Sequence, residues 1–254
     1  MLKSTCARGL AAACLWLAGA AFAQPATRSY AVVSEVARQV SVVSFQESTG
    51  SRLNANLRQR IDVPDGALDK VFLLSAQKAL KQATPAADIW LLAPADSDFF
   101  GLLQPTQGSK VTIPDDLLGA LRDRKSSHLL VFTRHRDDAD LRFLGSRDGT
   151  GPLEGLGYYV DHHTEVRRIE AKQVGLGYLA SFTHFRATLI DVATSQVVGT
   201  AATRANIVTS AVGAQTASTH PWDALTPAQK MNQLRDLVIR EVERMVPQVV
   251  GAKP

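Results

Sequence analysis

Cysteine is almost missing from this chain. Its 254 residues hold two, Cys6 and Cys14, and both fall within the first 23 positions. The remainder therefore has no disulfide, no thiolate nucleophile and no cysteine-ligated metal. Blocks of basic charge are missing too. Lysine and arginine are spread along the sequence and aromatic residues make up only 6% of it, which sets aside the basic stripe that nucleic-acid binding requires. After residue 23 no segment stays apolar for the roughly 20 residues a membrane-spanning helix needs. Catalytic signatures are also lacking. There is no G-x-S-x-G elbow, and the glycine-rich stretch Gly145–Gly151 has no lysine and does not lead into a helix, unlike a phosphate-binding loop.

What is present begins at the amino terminus. Lys3 and Arg8 precede an uncharged run, Gly9 to Phe22, that ends in Ala21-Phe22-Ala23 and is followed by Gln24-Pro25. A short positive region, an apolar core and small residues before the break make a cleavable secretory signal peptide. Residues 1–23 are thus read as the signal and 24–254 as a single periplasmic domain. Cys14 sits inside the apolar run rather than at its end, so no lipid anchor is expected. Loss of Lys3 and Arg8 leaves 26 basic against 24 acidic residues. A chain of this size buries about three quarters of its unfolded surface and can do without disulfides.

The order of elements points to an α+β domain: a mixed sheet with a carboxy-terminal antiparallel meander and helices packed on it. Ser29–Phe45 is rich in valine and reads as a strand pair or one long kinked strand. Gln46–Ile61 is polar and reads as a loop. Helical spacing of Leu68, Val71, Phe72, Ala76, Ala79 and Leu80 predicts a helix over 66–83, with Asp65 as its cap. Ile89–Leu92 reads as a strand, 114–124 as a second helix and His128–Thr133 as another strand. Gly155–Val160, Tyr178–Asp191 and Gln196–Val208 read as three strands of a meander. The residues 227–246 form a last helix, capped by Thr226 and ended by Pro247, with Glu241 interrupting its apolar stripe.

One segment carries a resemblance. Leu189–Gly199 (LIDVATSQVVG) is a strand, an aspartate, turn residues and then Val-Val-Gly. Together with the order of elements around it, this resembles the small α/β domains of bacterial envelope proteins, of the curli-secretion lipoprotein and TolB amino-terminal type. The resemblance covers most of residues 24–254 and implies a periplasmic, non-catalytic role in contact with another envelope protein or envelope component. It carries over no functional residue and no cofactor.

Candidate chemistry is confined to a few places. Asp161, His162 and His163, with Glu165 nearby and His184 on the next strand, are the densest set of metal-ligand types, and imidazole with carboxylate suits zinc. Neighbouring residues of a strand point to opposite faces, so His162 and His163 could share a metal only if the chain turned there; otherwise Asp161–Gln173 is a polar hairpin tip. The metal-dependent hydrolase is therefore the alternative. The first reading is a binding module without a catalytic centre or cofactor, whose contact surface is the hairpin bearing Tyr158, Tyr159, Arg167, Arg168 and Tyr178. Arg134–Asp138 reads as a self-neutralising charged turn, and Asp96–Asp98 as a capped turn at a strand's carboxyl end. The pairs Gly155/Gly157 and Gly175/Gly177 mark bends or close backbone approach.

The intact mass of the exported protein should correspond to a chain beginning at Gln24. A chain retaining residues 1–23 and sedimenting with membranes would overturn the signal-peptide reading.

Overall fold

Alternation of valine and tyrosine with small polar residues makes strands of the first segment, and the helical spacing that follows makes the first helix. The structure, a computed structural model, describes residues 28–47, 55–93, 109–143, 146–168, 173–210, 212 and 220–251. In chain order these contain β1 (Ser29–Ser34), β2 (Gln39–Ser44), β3 (Leu57–Asp62), α1 (Ala67–Ala83), β4 (Asp88–Leu92), α2 (Asp115–Asp123), β5 (His128–Arg134), β6 (Arg136–Asp138), β7 (Leu141–Phe143), β8 (Ser146–Asp148), β9 (Pro152–Arg168), β10 (Gln173–Asp191), β11 (Gln196–Ser210) and α3 (Pro227–Gly251).

Nine of the strands form one mixed sheet, and β7 pairs separately with β8. The sheet is organised on β10. One side of β10 pairs with β11 from Tyr178 to Asp191. The other side is divided: Phe185–Asp191 pairs with β5 and Gln173–His184 with β9. The division continues outward. β1 lies parallel to β5 with β4 parallel beyond it, while β2 lies parallel to β9 with β3 antiparallel beyond it. β1 and β2 are thus one long strand bent at Glu35–Arg38 where the sheet forks. The meander expected at the carboxy-terminal end is β9–β10–β11.

The bend is held by hydrogen bonds that strands alone would not supply. The buried Asp69 carboxylate accepts from the Ser34 hydroxyl (2.6 Å) and the Ala37 amide (3.1 Å). Arg134 Nε donates to the Val36 carbonyl (3.2 Å), and the His135 amide to the His184 carbonyl (3.1 Å). Gly155 faces Arg134 across the fork with φ +69°, in the left-handed region that favours glycine.

Both sheet faces are covered. α1 and α3 pack on one, where Phe72, Phe132 and Phe185 meet ring to ring at 4.8–6.0 Å. On the other face α2 and the segment around Val111 and Ile113 cover Ala31, Val33, Leu129 and Val131, and Leu141 covers Val43, Tyr159, Tyr178 and Phe182. α3 opens with a capping box: the Gln229 amide donates to Thr226 Oγ1 (3.3 Å) and the Thr226 amide to Gln229 Oε1 (2.8 Å). Lys230 is buried yet compensated, its Nζ 3.9 Å above the Trp222 ring.

Three expectations are corrected. Leu57–Asp62, read as loop, is the edge strand β3; every residue in it is exposed, so it carries no alternation of buried and exposed positions. Pro247 does not end α3, which runs to Gly251 because Val249 and Val250 are buried against the sheet. α1 is capped at Gly66 (φ 58°) after a 3-10 turn Pro64–Gly66, not at Asp65.

A Cβ at Gly157 would lie 2.2 Å from the Ser41 carbonyl oxygen and 2.5 Å from the Phe182 ring, whereas one at Gly119 in α2 meets nothing. Gly157→Ala should therefore destabilise the fold by about 1–3 kcal/mol through overpacking, and Gly119→Ala should stabilise it by up to about 1 kcal/mol. Urea unfolding with unchanged far-UV circular dichroism reads both.

Candidate functional site

β9 and β10 continue past the strands beside them. β2 leaves β9 at Val160 and β11 leaves β10 at Tyr178, so residues 162–168 and 173–177 form a two-stranded ribbon. Residues 161–168, read as a polar hairpin tip, are strand; of that tip, 169–172 lie outside the described residues.

The ribbon begins at a bulge. Asp161 is buried, and its Oδ1 accepts from the His163 and Thr164 amides (2.7 and 2.8 Å) while Oδ2 accepts from the Thr164 hydroxyl (3.0 Å). Opposite it, the register shifts between Leu176 and Tyr178, and Gly177 takes φ +84° because a Cβ there would lie 2.3 Å from the Asp161 carbonyl. Asp161 thus uses both oxygens to shape its own strand.

The predicted metal ligands do not converge. The His162 ring packs edge-on against His220 at 4.6 Å; burial first, then the neighbouring His220 and His163, hold its pKa below the usual imidazole value. His163 turns to Phe45 (5.6 Å) and Glu47 (3.4 Å). His184 belongs to the fork instead, paired with Gly155 and Arg204 on the neighbouring strands. Among the described residues no three histidine, cysteine, aspartate or glutamate side chains are gathered to hold a metal. The His162–His220 contact was not foreseeable, since 57 positions and two strands separate them.

The three tyrosines are core rather than surface. Tyr158 is 5% exposed and meets Trp222 edge-on (5.5 Å); Tyr159 and Tyr178 are fully buried and stack at 6.3 Å, with the Tyr159 hydroxyl accepting from the Thr150 amide (3.1 Å). Burial pushes the Tyr158 and Tyr178 hydroxyls upward. Of the predicted contact residues Arg167 is exposed, paired with Glu165 on the same face; the main chain of Arg168 faces Gln173, and its side chain lies outside the description. Sequence reasoning missed Val174 and Leu176 beside them, 64% and 59% exposed. On the ribbon's opposite face Val166 is buried and Gly175 lies against Val212.

Two open clefts lie elsewhere. One, of about 480 Å3, sits at the carboxyl ends of β1 and β4 beside the start of α1 and is lined by Ser34, Arg38, Asp62, Asp69 and Lys70. Burial raises the Asp69 pKa against the pull of Ser34 and the Ala37 and Val36 amides. The Asp96–Asp98 turn, expected nearby, lies outside the described residues. The second cleft, of about 450 Å3, runs along the outer edge of β11 between α3 and β7. Arg142, Arg204, Arg240 and Arg244 line it with Glu241 and Asp140. Glu241 is buried, and its Oε2 accepts from Thr203 Oγ1 (2.8 Å) and from Arg244 Nε and Nη2 (3.0 and 2.7 Å), with Arg240 Nε on Oε1 (3.1 Å). Burial alone would raise its pKa, but these donors hold it below the usual carboxylate range. The residue that interrupts the apolar stripe of α3 is the anchor of this cleft. The run Arg134–Asp138 is partly self-neutralised, as expected, but Asp137 also pairs with Arg204 at 3.4 Å.

No family model matches this sequence, and no curated protein matches it. Solved structures do resemble the fold. A Xanthomonas campestris protein of the DUF330 family is 8% identical over 87% of this chain and 81% of its own, with a TM-score of 0.39. A neuraminyllactose-binding hemagglutinin homolog from Helicobacter pylori is 8% identical over 86% and 85%, with a TM-score of 0.41. Lipoprotein GNA1162 from Neisseria meningitidis is 11% identical over 86% and 97%, with a TM-score of 0.31. At those TM-scores the likeness assigns neither family nor role to this chain. No helix among the described residues is long and apolar enough to cross a membrane.

His184 yields a prediction on pH. It is 1% exposed, its Nδ1 has no hydrogen-bond partner, and burial lowers its pKa from 6.5 to about 4, with His135 and Arg204 acting in the same direction and Asp137 against it. Between those values the unfolded chain binds the extra proton, so stability rises with pH there and is lost on acidification, by up to roughly 3 kcal/mol. Urea unfolding from pH 7 to pH 4 should show this loss, and His184→Leu should flatten the slope by close to one proton. An unchanged slope in the variant would refute it.

Proposed function

We propose that this chain is an exported, periplasmic, non-catalytic assembly module of the bacterial cell envelope, acting as one unit over residues 24–254, and that it assembles with a second copy through the outer face of the β9–β10 ribbon. The signal-like amino terminus supports export. The order of elements and the Leu189–Gly199 hairpin support the likeness to envelope domains of the curli-secretion and TolB type.

The observation that carries the reading is the composition of the ribbon's outer face. Val174 lies opposite Arg167 and Leu176 opposite Glu165, so all four side chains share that face. Two apolar side chains more than half exposed, bordered by one acid and one base, form a surface that complements itself. A two-fold axis through it sets Glu165 of one copy against Arg167 of the other and brings the apolar pairs together, as an isologous contact requires. Each isolated ion pair contributes only about 0–1 kcal/mol at such exposure, so charge sets the orientation and the apolar contact supplies the attraction.

Residues 24–254 contain no cysteine, so Leu176→Cys introduces the only thiol of the exported chain. Mild oxidation in intact cells should give a disulfide-linked homodimer, which Leu74→Cys, an equally exposed position on α1, should not give. An adduct with a different protein from Leu176→Cys replaces the second copy by another envelope partner. Equal behaviour of the two variants refutes the ribbon as a contact surface.

A further inference from the structure

We propose that the cleft along the outer edge of β11 is a binding site for a phosphate-type oxyanion, carried either by a lipid headgroup or by a free phosphoryl compound. The cleft collects four guanidinium groups against two carboxylates. Like charges repel at these separations, so a fold that gathers four arginines around one space without an anion holds them at a cost.

Two features make the arrangement a built site rather than a solvated charged face. Glu241 is 6% exposed. It is fixed from the sheet by Thr203 on β11, so it holds Arg240 and Arg244 at the cleft in set orientations. A guanidinium has five N–H donors; Arg240 gives one to Glu241 and Arg244 gives two, which leaves donors on both for a ligand. Across the cleft β7 is tied to β11, the Arg142 amide donating to Asn206 Oδ1 (3.3 Å) and Asn206 Nδ2 to the Asp140 carbonyl (3.0 Å). Arg142 and Arg204 are thereby brought to the same opening. Arg142 has no ion-pair partner among the described residues, and Arg204 has only the half-exposed Asp137 at 3.4 Å.

The ligand chemistry follows from the donors. Planar guanidinium forks match the paired oxygens of phosphate, and several around one space favour a multiply charged oxyanion over a single carboxylate. The cleft has room for more than one phosphate group at about 450 Å3, so pyrophosphate is a fitting soluble probe. Binding should weaken steeply with added salt, since the arginines face solvent. The proposal does not depend on assembly through the ribbon.

The test uses residues 24–254 in low-salt buffer. Calorimetric titration with pyrophosphate and sedimentation with phosphatidylglycerol vesicles are run in parallel. The expected result is saturable binding in at least one arm, weakened at least tenfold in Arg142→Gln/Arg204→Gln and unchanged in Arg60→Gln, an exposed arginine on β3. Both mutated arginines are exposed, so circular dichroism should report an intact fold. Binding of vesicles alone assigns the oxyanion to a lipid headgroup, and binding of pyrophosphate assigns it to a free phosphoryl compound. No saturable binding in either arm, or an equal loss in Arg60→Gln, overturns the site.

Discussion

One long strand has to have both of its sides covered, and the rest of the molecule is arranged around that need. Main-chain amides and carbonyls left without partners in a buried sheet each cost on the order of a hydrogen bond. β10 runs for 19 residues, and on one side no single strand covers it. β5 covers one half and β9 the other, and the chain between Arg134 and Pro152 leaves the sheet to form the β6–β8 excursion. That excursion covers the face left open by α2. The fork makes β1 and β2 bend, and the bend makes Asp69 necessary: it satisfies the Ala37 amide, which β5 and β9 no longer reach.

The buried polar groups cluster where regular pairing stops. Asp69 lies at the bend, His184 at the hand-over from β5 to β9, Asp161 at the bulge that begins the ribbon, and Glu241 beside the outer edge of β11. Three of them receive hydrogen bonds that balance their burial. His184 is neutral and keeps a ring nitrogen without a partner, which makes it the most acid-sensitive point of the fork. Both open clefts also occur at discontinuities of the sheet, one at the ends of β1 and β4 and one along the free edge of β11.

Periodicity carried the regular part of the fold. The bent Val-rich strand, α1, the alternation along β10 and the Thr226 cap are all visible from residue spacing. The fork is not, because it depends on which strands pair, and β5 and β9 are both plain apolar strands. The aromatic residues at 158, 159 and 178 resemble a contact surface in the sequence because nothing there reveals the β7–β8 cover over Tyr159 and Tyr178 or the Trp222 turn over Tyr158. The arginine cleft is hidden for a similar reason. Its members sit on β7, β11 and α3, more than 100 positions apart at the extremes, and the only local trace is a glutamate in an apolar stripe.

The exposed edge strand β3 has a bearing on how the protein behaves when crowded. An unpaired strand is a template onto which another chain can add, and Leu57 and Ile61 would make that addition adhesive. Arg58 and Arg60 alternate with them and place two positive charges on every copy of that edge. Stacking two such edges would bring four arginines together in a narrow space, so the sheet ends at β3 by electrostatic exclusion rather than by any structural cover.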